Sequence, residues 1–129
     1  MSRIKLRENL MKLVYDYSMT KTRECDFEVL DLESLTEEEK TELTDNFNKI
    51  IDNYDDIVST IEKNLINYKL DRICKTDLAI LIVAIYELNY LKEPIKVVVN
   101  EAVELAKKYS LDNSYKFVNG LLAKVNNAV

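Results

Sequence analysis

The sequence predicts an all-α, single-domain helical bundle, and three observations carry that prediction. Among 129 residues there is one glycine, Gly120, and one proline, Pro94. These are the two residue types that make most turns and strand corners. Apolar residues recur at helical spacing along most of the chain. Thr36 followed by Glu37-Glu38-Glu39 is a helix-start signature, a hydroxyl cap with a carboxylate three residues on.

The elements follow in chain order. From Arg3 to Tyr17 the apolar positions are Leu6, Leu10, Leu13, Val14 and Tyr17, which share one face of a helix. Residues 24–35 are acidic and short-period, with Phe27, Leu30 and Leu32 expected to pack a short helix or turn. The helix capped by Thr36 runs through Leu43, Phe47, Ile50 and Ile51. The Asn53-Tyr54-Asp55-Asp56 cluster interrupts it, and Ile57, Ile61, Leu65 and Tyr68 mark the next helix. Thr76 is expected to cap a helix to about Tyr90, buried on all sides because Leu78 to Tyr86 is unbroken apolar sequence. Pro94 opens a helix where its missing N–H costs nothing. Ile95, Val98, Val99, Ala102, Val103, Ala106 and Tyr109 keep a helical period that overrides the β preference of Val97-Val98-Val99. Asp112 or Asn113 caps the last helix, which packs Phe117, Leu121, Leu122 and Val125. Gly120 sits inside that run, where close packing against another helix is the expected reason for a poor helix former.

A chain of this length is most simply one domain, residues 1–129, burying roughly 65–70% of its unfolded surface. No apolar run approaches the ~20 residues that span a bilayer, and MSRIKLREN is too charged for a signal peptide. A cytoplasmic address is expected. The chemistry is bounded as tightly. There is no histidine, which removes the commonest general base and neutral metal ligand. Cys25 and Cys74 lack metal-ligand spacing and read as core or boundary residues. One glycine also excludes phosphate-cradling and dinucleotide loops. Every familiar catalytic and metal-binding toolkit is thus missing, although composition alone does not exclude an enzyme.

The net charge of −5 conceals an asymmetry. Residues 1–23 carry a net +4, residues 24–65 a net −11 and residues 66–129 a net +2. One face of such a molecule attracts an anion while another repels it. Arg3 and Arg7 lie at the edge of the first helix's apolar arc and Lys5 and Lys12 nearly opposite, so the basic residues form two flanks.

AIYEL at 84–88, EP at 93–94, NEAVELAK at 100–107 and SYKFVNG at 114–120 together resemble the signature of the NusB family of bacterial transcription antitermination factors. The opening Arg-x-Lys-x-Arg with Leu10, Leu13 and Tyr15 resembles that family's first helix more loosely. The resemblance implies about seven helices in two antiparallel subdomains. It also implies binding of boxA RNA in ribosomal RNA transcripts jointly with the small-subunit ribosomal protein NusE, acting on the elongating RNA polymerase complex. No catalysis, catalytic residue, metal, cofactor or membrane partner is implied, and monomer and homodimer both stay open. Two alternatives belong beside it. One is an accessory RNA-binding domain working with an RNA cytosine methyltransferase; the other is a helical protein-interaction module without RNA binding.

Carried onto this sequence, the resemblance implies RNA contacts from Arg3, Lys5, Arg7, Lys12, Tyr15, Asn113 and Lys116. Ile4 stands where the family often has another basic residue, which leaves fewer phosphate contacts. Tyr15 is expected either to stack on an unpaired base or to pack at the core boundary. Asn113 and Lys116 begin the last helix, whose free N–H groups suit a phosphate. Phe117 reads more readily as core than as a nucleotide platform. Asp77, Leu78 and Leu81 map to the face that receives NusE, although Asp77 equally suits a first-turn position stabilising the helix dipole. Glu101 and Glu104 read as a solvated face.

Overall fold

In the computed structural model, residues 2–23, 30, 35–66 and 69–127 are described. They form six α-helices and one short 3₁₀ turn, with no strand among the described residues. The helices are α1 (Arg3–Thr20), α2 (Glu37–Asp52), α3 (Tyr54–Lys63), α4 (Lys75–Asn89), α5 (Ile95–Tyr109) and α6 (Ser114–Asn127); the 3₁₀ turn, Leu70–Arg72, precedes α4. The short helix or turn expected at 24–35 lies largely outside the described residues, as do Cys25 and Tyr68. Leu30, the one described residue of its cluster, is buried.

Local sequence explains the ends. Thr36 Oγ1 accepts from the Glu39 N–H at 3.1 Å and Glu39 Oε1 accepts from the Thr36 N–H at 3.0 Å. That reciprocal pair satisfies two N–H groups which α2 would otherwise leave bare. Pro94 is the extended N-cap of α5, and the three consecutive valines are helical, as the longer period requires. One expected cap moves, by two residues: α4 begins at Lys75, with Cys74 and not Thr76 at the N-cap position, making no side-chain cap bond. α6 begins at Ser114, directly after Asn113, one of the two residues expected to precede it. α1 stops at Lys21, a left-handed residue whose N–H reaches the Tyr17 carbonyl at 2.8 Å.

α4 is the centre of the molecule. Its residues Asp77 to Glu87 are all buried, and the helix touches each of the other five. A helix apolar all round is satisfied only by neighbours on every side, and here α1 and α5 supply the most extensive. Tyr86, fully buried, donates its hydroxyl to Asn46 Oδ1 at 2.6 Å and so ties α4 to α2. Tyr17 packs edge-on against Phe47 and Tyr54, joining α1 to α2 and α3.

Gly120 corrects its expectation. A Cβ built there would meet nothing within 4 Å, and its φ is not positive. Neither close helix packing nor a left-handed backbone accounts for it.

Candidate nucleic-acid interface

The basic residues of α1 divide by direction. Arg7 turns inward: its Nε donates to Glu87 Oε2 at 2.6 Å, with both side chains buried. Burial pushes the Glu87 carboxyl above its ordinary value, against the opposing hydrogen bond and charge of Arg7. Next to it, Glu8 accepts from Lys108 Nζ at 2.9 Å, and Lys5 Nζ lies 3.5 Å from its other oxygen. Burial alone would raise Glu8; the Lys108 hydrogen bond and charge, with Tyr109 and Lys5, hold it below the ordinary carboxylate value. Arg3 is exposed and reaches Glu93, in the turn between α4 and α5. Arg7 thus couples α1 to α4 and presents no guanidinium to solvent, which removes it from the expected RNA-facing set.

One turn further along, α1 faces outward. Lys12, Tyr15 and Asp16 line a cleft with Thr76 of α4 and Tyr109 of α5, floored by the buried Met11, with a volume of about 390 Å³. Tyr15 is 39% exposed. Lys12 Nζ stands 5.5 Å from the centre of the Tyr109 ring and Lys108 Nζ 5.1 Å from it. Two aromatic rings, an apolar floor and the Lys12 ammonium beside the Asp16 carboxylate thus line the cleft, and the Lys108 ammonium, paired with Glu8, lies by the Tyr109 ring. Rings and ammonium groups together suit an unpaired base and its phosphate. Lys108 and Tyr109 are absent from the sequence-based set. Their helix is read there through its apolar face, and the closeness of Tyr109 to Tyr15 arises only when α5 packs beside α1.

The start of α6 is fixed by a carboxylate. Asp77, buried in the first turn of α4, accepts from Ser110 Oγ at 2.5 Å and from Ser114 Oγ at 2.9 Å. This latch holds the α5–α6 turn against α4 and sets where Asn113 and Lys116, both exposed, stand. Phe117, half-buried, lines an open cleft of about 750 Å³ with Arg72, Cys74 and Asn113 among others, so it is neither wholly core nor a free platform. Asp77, Leu78 and Leu81 are all buried. Asp77 therefore takes the internal role of its two alternatives, and the two leucines offer no surface to a partner. Among the described residues no group of three or more Cys, Asp or Glu side chains is placed to hold a metal ion. No described helix is long and apolar enough to cross a membrane.

Comparison with known proteins places this geometry. The NusB family model matches residues 4–127. The transcription antitermination protein NusB of Clostridium novyi is 41% identical over 134 residues, covering 97% of this chain and 98% of that protein. The NusB of Acetivibrio thermocellus is 42% identical over 128 residues, covering 97% and 88%. Among solved structures, Thermotoga maritima NusB superposes with a TM-score of 0.86 at 30% identity, covering 98% of this chain and 92% of that one. A crystal structure of the antitermination factors NusB and NusE in complex with double-stranded RNA superposes with a TM-score of 0.84 over the whole of both chains. At 24% identity that likeness speaks to the fold.

Proposed function

The chain belongs to the NusB family, and from that premise we propose that it is a transcription antitermination factor. In this reading it binds the boxA element of ribosomal RNA transcripts together with NusE, as part of the elongating RNA polymerase complex. Residues 1–129 act as one NusB-like helical domain, with no catalytic step and no cofactor.

The observation that carries the reading is the cleft between α1 and α5. Tyr15, Tyr109 and Lys12 line it, and the Lys108 ammonium stands beside the Tyr109 ring. A single-stranded base enters between the rings while its phosphates meet the ammonium groups. Lys5 and Arg3 extend the positive flank toward the helix start, and Asn113 and Lys116 extend it across the α6 N-terminus. Arg7 contributes through Glu87, by holding α1 against α4, and Asp77 by holding the start of α6. The net charge of −5 adds long-range repulsion, so the protein alone binds RNA weakly and with strong salt dependence. The basic partner then supplies much of the joint affinity.

Titration of labelled boxA RNA with this protein, with and without NusE and across a salt series, tests the reading. Joint binding that falls with salt is expected. No binding in either case at low salt would leave the chain a helical interaction module.

A further inference from the structure

Beyond that cleft, α5 and α6 enclose a second groove of about 670 Å³. Lys96, Asn100 and Lys107 line it from α5, and Tyr115, Lys116 and Asn119 from α6, over an apolar floor of valines. No carboxylate lines it. Glu104, the carboxylate paired with Lys107 at 3.8 Å, is itself exposed and outside the groove. Lys107 Nζ and Lys116 Nζ stand 5.1 and 6.0 Å from the Tyr115 ring centre. In a chain with more acidic than basic residues, three groove lysines, two of them with ammonium groups beside one half-buried ring, and two side-chain amides form a surface complementary to a polyanion that also carries flat polar rings.

Gly120 adds an independent observation. It lies in the interior of α6, is exposed, and its missing side chain would touch nothing among the described residues. It directly follows the groove residue Asn119 and stands about 40° around the helix from the groove residue Lys116. Glycine is the poorest helix former after proline, and nothing internal compensates for it here. Bare main chain at a rim does, however, allow a ligand backbone to approach closely.

We propose that the α5–α6 groove holds the continuation of the RNA strand as it leaves the α1–α5 cleft. Phosphates meet Lys96, Lys107 and Lys116, a base lies against Tyr115, and the strand crosses α6 over Gly120. Helix α5 is common to both surfaces, since Lys107 lines the groove and Tyr109, two residues on, lines the cleft. The proposal rests on the RNA-binding reading above. A basic or neutral protein segment is disfavoured because the groove offers it no carboxylate, and an acidic segment would leave the Tyr115 ring without the stacking partner that a base supplies.

The test uses two RNAs, the boxA core and the same core lengthened by about six nucleotides at either end, with NusE present. Lengthening is expected to tighten binding to the unaltered protein about tenfold and to steepen its logarithmic salt dependence by about 1–1.5. Lys96→Gln with Lys107→Gln is expected to abolish that gain while core affinity stays unchanged. No gain on lengthening, or an undiminished gain in the double variant, overturns the groove. Weaker NusE binding by the double variant without RNA, with the length gain intact, would assign the groove to protein and also overturn it. Failure of the core RNA to bind is a separate result, which counts against the functional reading. A lysine-dependent length gain in that case still supports the groove.

Discussion

The inner and outer flanks of α1 use the same residue types for different ends. Arg7, on the inner flank, is buried against Glu87 across 80 residues of sequence, and its charge serves the packing of α1 on α4. Lys12 and Tyr15, less than three turns along, face solvent beside Tyr109. A positively charged helix is thus not a uniform binding surface. Its count of Lys and Arg overstates the charge available to RNA, because part of that charge is neutralised inside the fold.

Breaking the inner flank is expected to give the largest effect. Arg7→Ala leaves Glu87 buried without its cation, which typically costs about 3–5 kcal/mol. Chemical denaturation should show that loss, while the fraction that remains folded keeps its RNA affinity. A stable Arg7→Ala protein that no longer binds RNA would move Arg7 to the outer flank. The outer flank should respond in the opposite way. Tyr15→Ala removes one stacking wall, worth about 1–3 kcal/mol of RNA affinity, and at an exposed position shifts stability by no more than about 0.5 kcal/mol.

Gly120→Ala is expected to stabilise α6 by about 1 kcal/mol, since an added Cβ meets no neighbour and alanine is the better helix former. Thermal unfolding reads this directly; a loss of stability would mean that α6 is more crowded there than its surroundings indicate.

The smallest effect belongs to pH. The folded-state pKa of Glu8 is lowered, so its contribution is present above the unfolded carboxyl pKa and is lost as pH falls through the folded value. Glu87 has the opposite sign: its folded value is raised, so its contribution is complete below the unfolded pKa and is lost as pH rises through the folded one. Glu8→Gln should therefore flatten the acid limb of the stability profile. An unchanged limb would show that Lys108 does not hold Glu8 in solution.

Much of the scaffold was legible before any coordinates. Thr36 and Glu39 announce their own reciprocal cap, Leu78 to Tyr86 announce a helix buried on all sides, and the period around Val97-Val98-Val99 correctly outweighs their β preference. These signals are local, carried by residues a few positions apart. The site was less legible because its decisive contacts are long-range. Nothing near Arg7 in sequence points to Glu87, and nothing near Asp77 points to Ser110 and Ser114. Asp77 occupies the first turn of α4, as its dipole reading expected, yet its main task is to latch another helix. Lys108 and Tyr109 join the candidate interface only through the packing of α5 beside α1. Gly120 is visible in the sequence as an anomaly, and only the open space around it shows that close packing among the described residues is not its reason.

In the proposed function, the outer flank of α1 with its aromatic cleft carries RNA binding while the inner flank carries the fold. The most direct test is the boxA affinity of Tyr15→Ala in the presence of NusE, measured beside its unfolding midpoint. Weakening of about 5- to 150-fold with an unchanged midpoint is expected. Unchanged affinity in a folded Tyr15→Ala protein would contradict it.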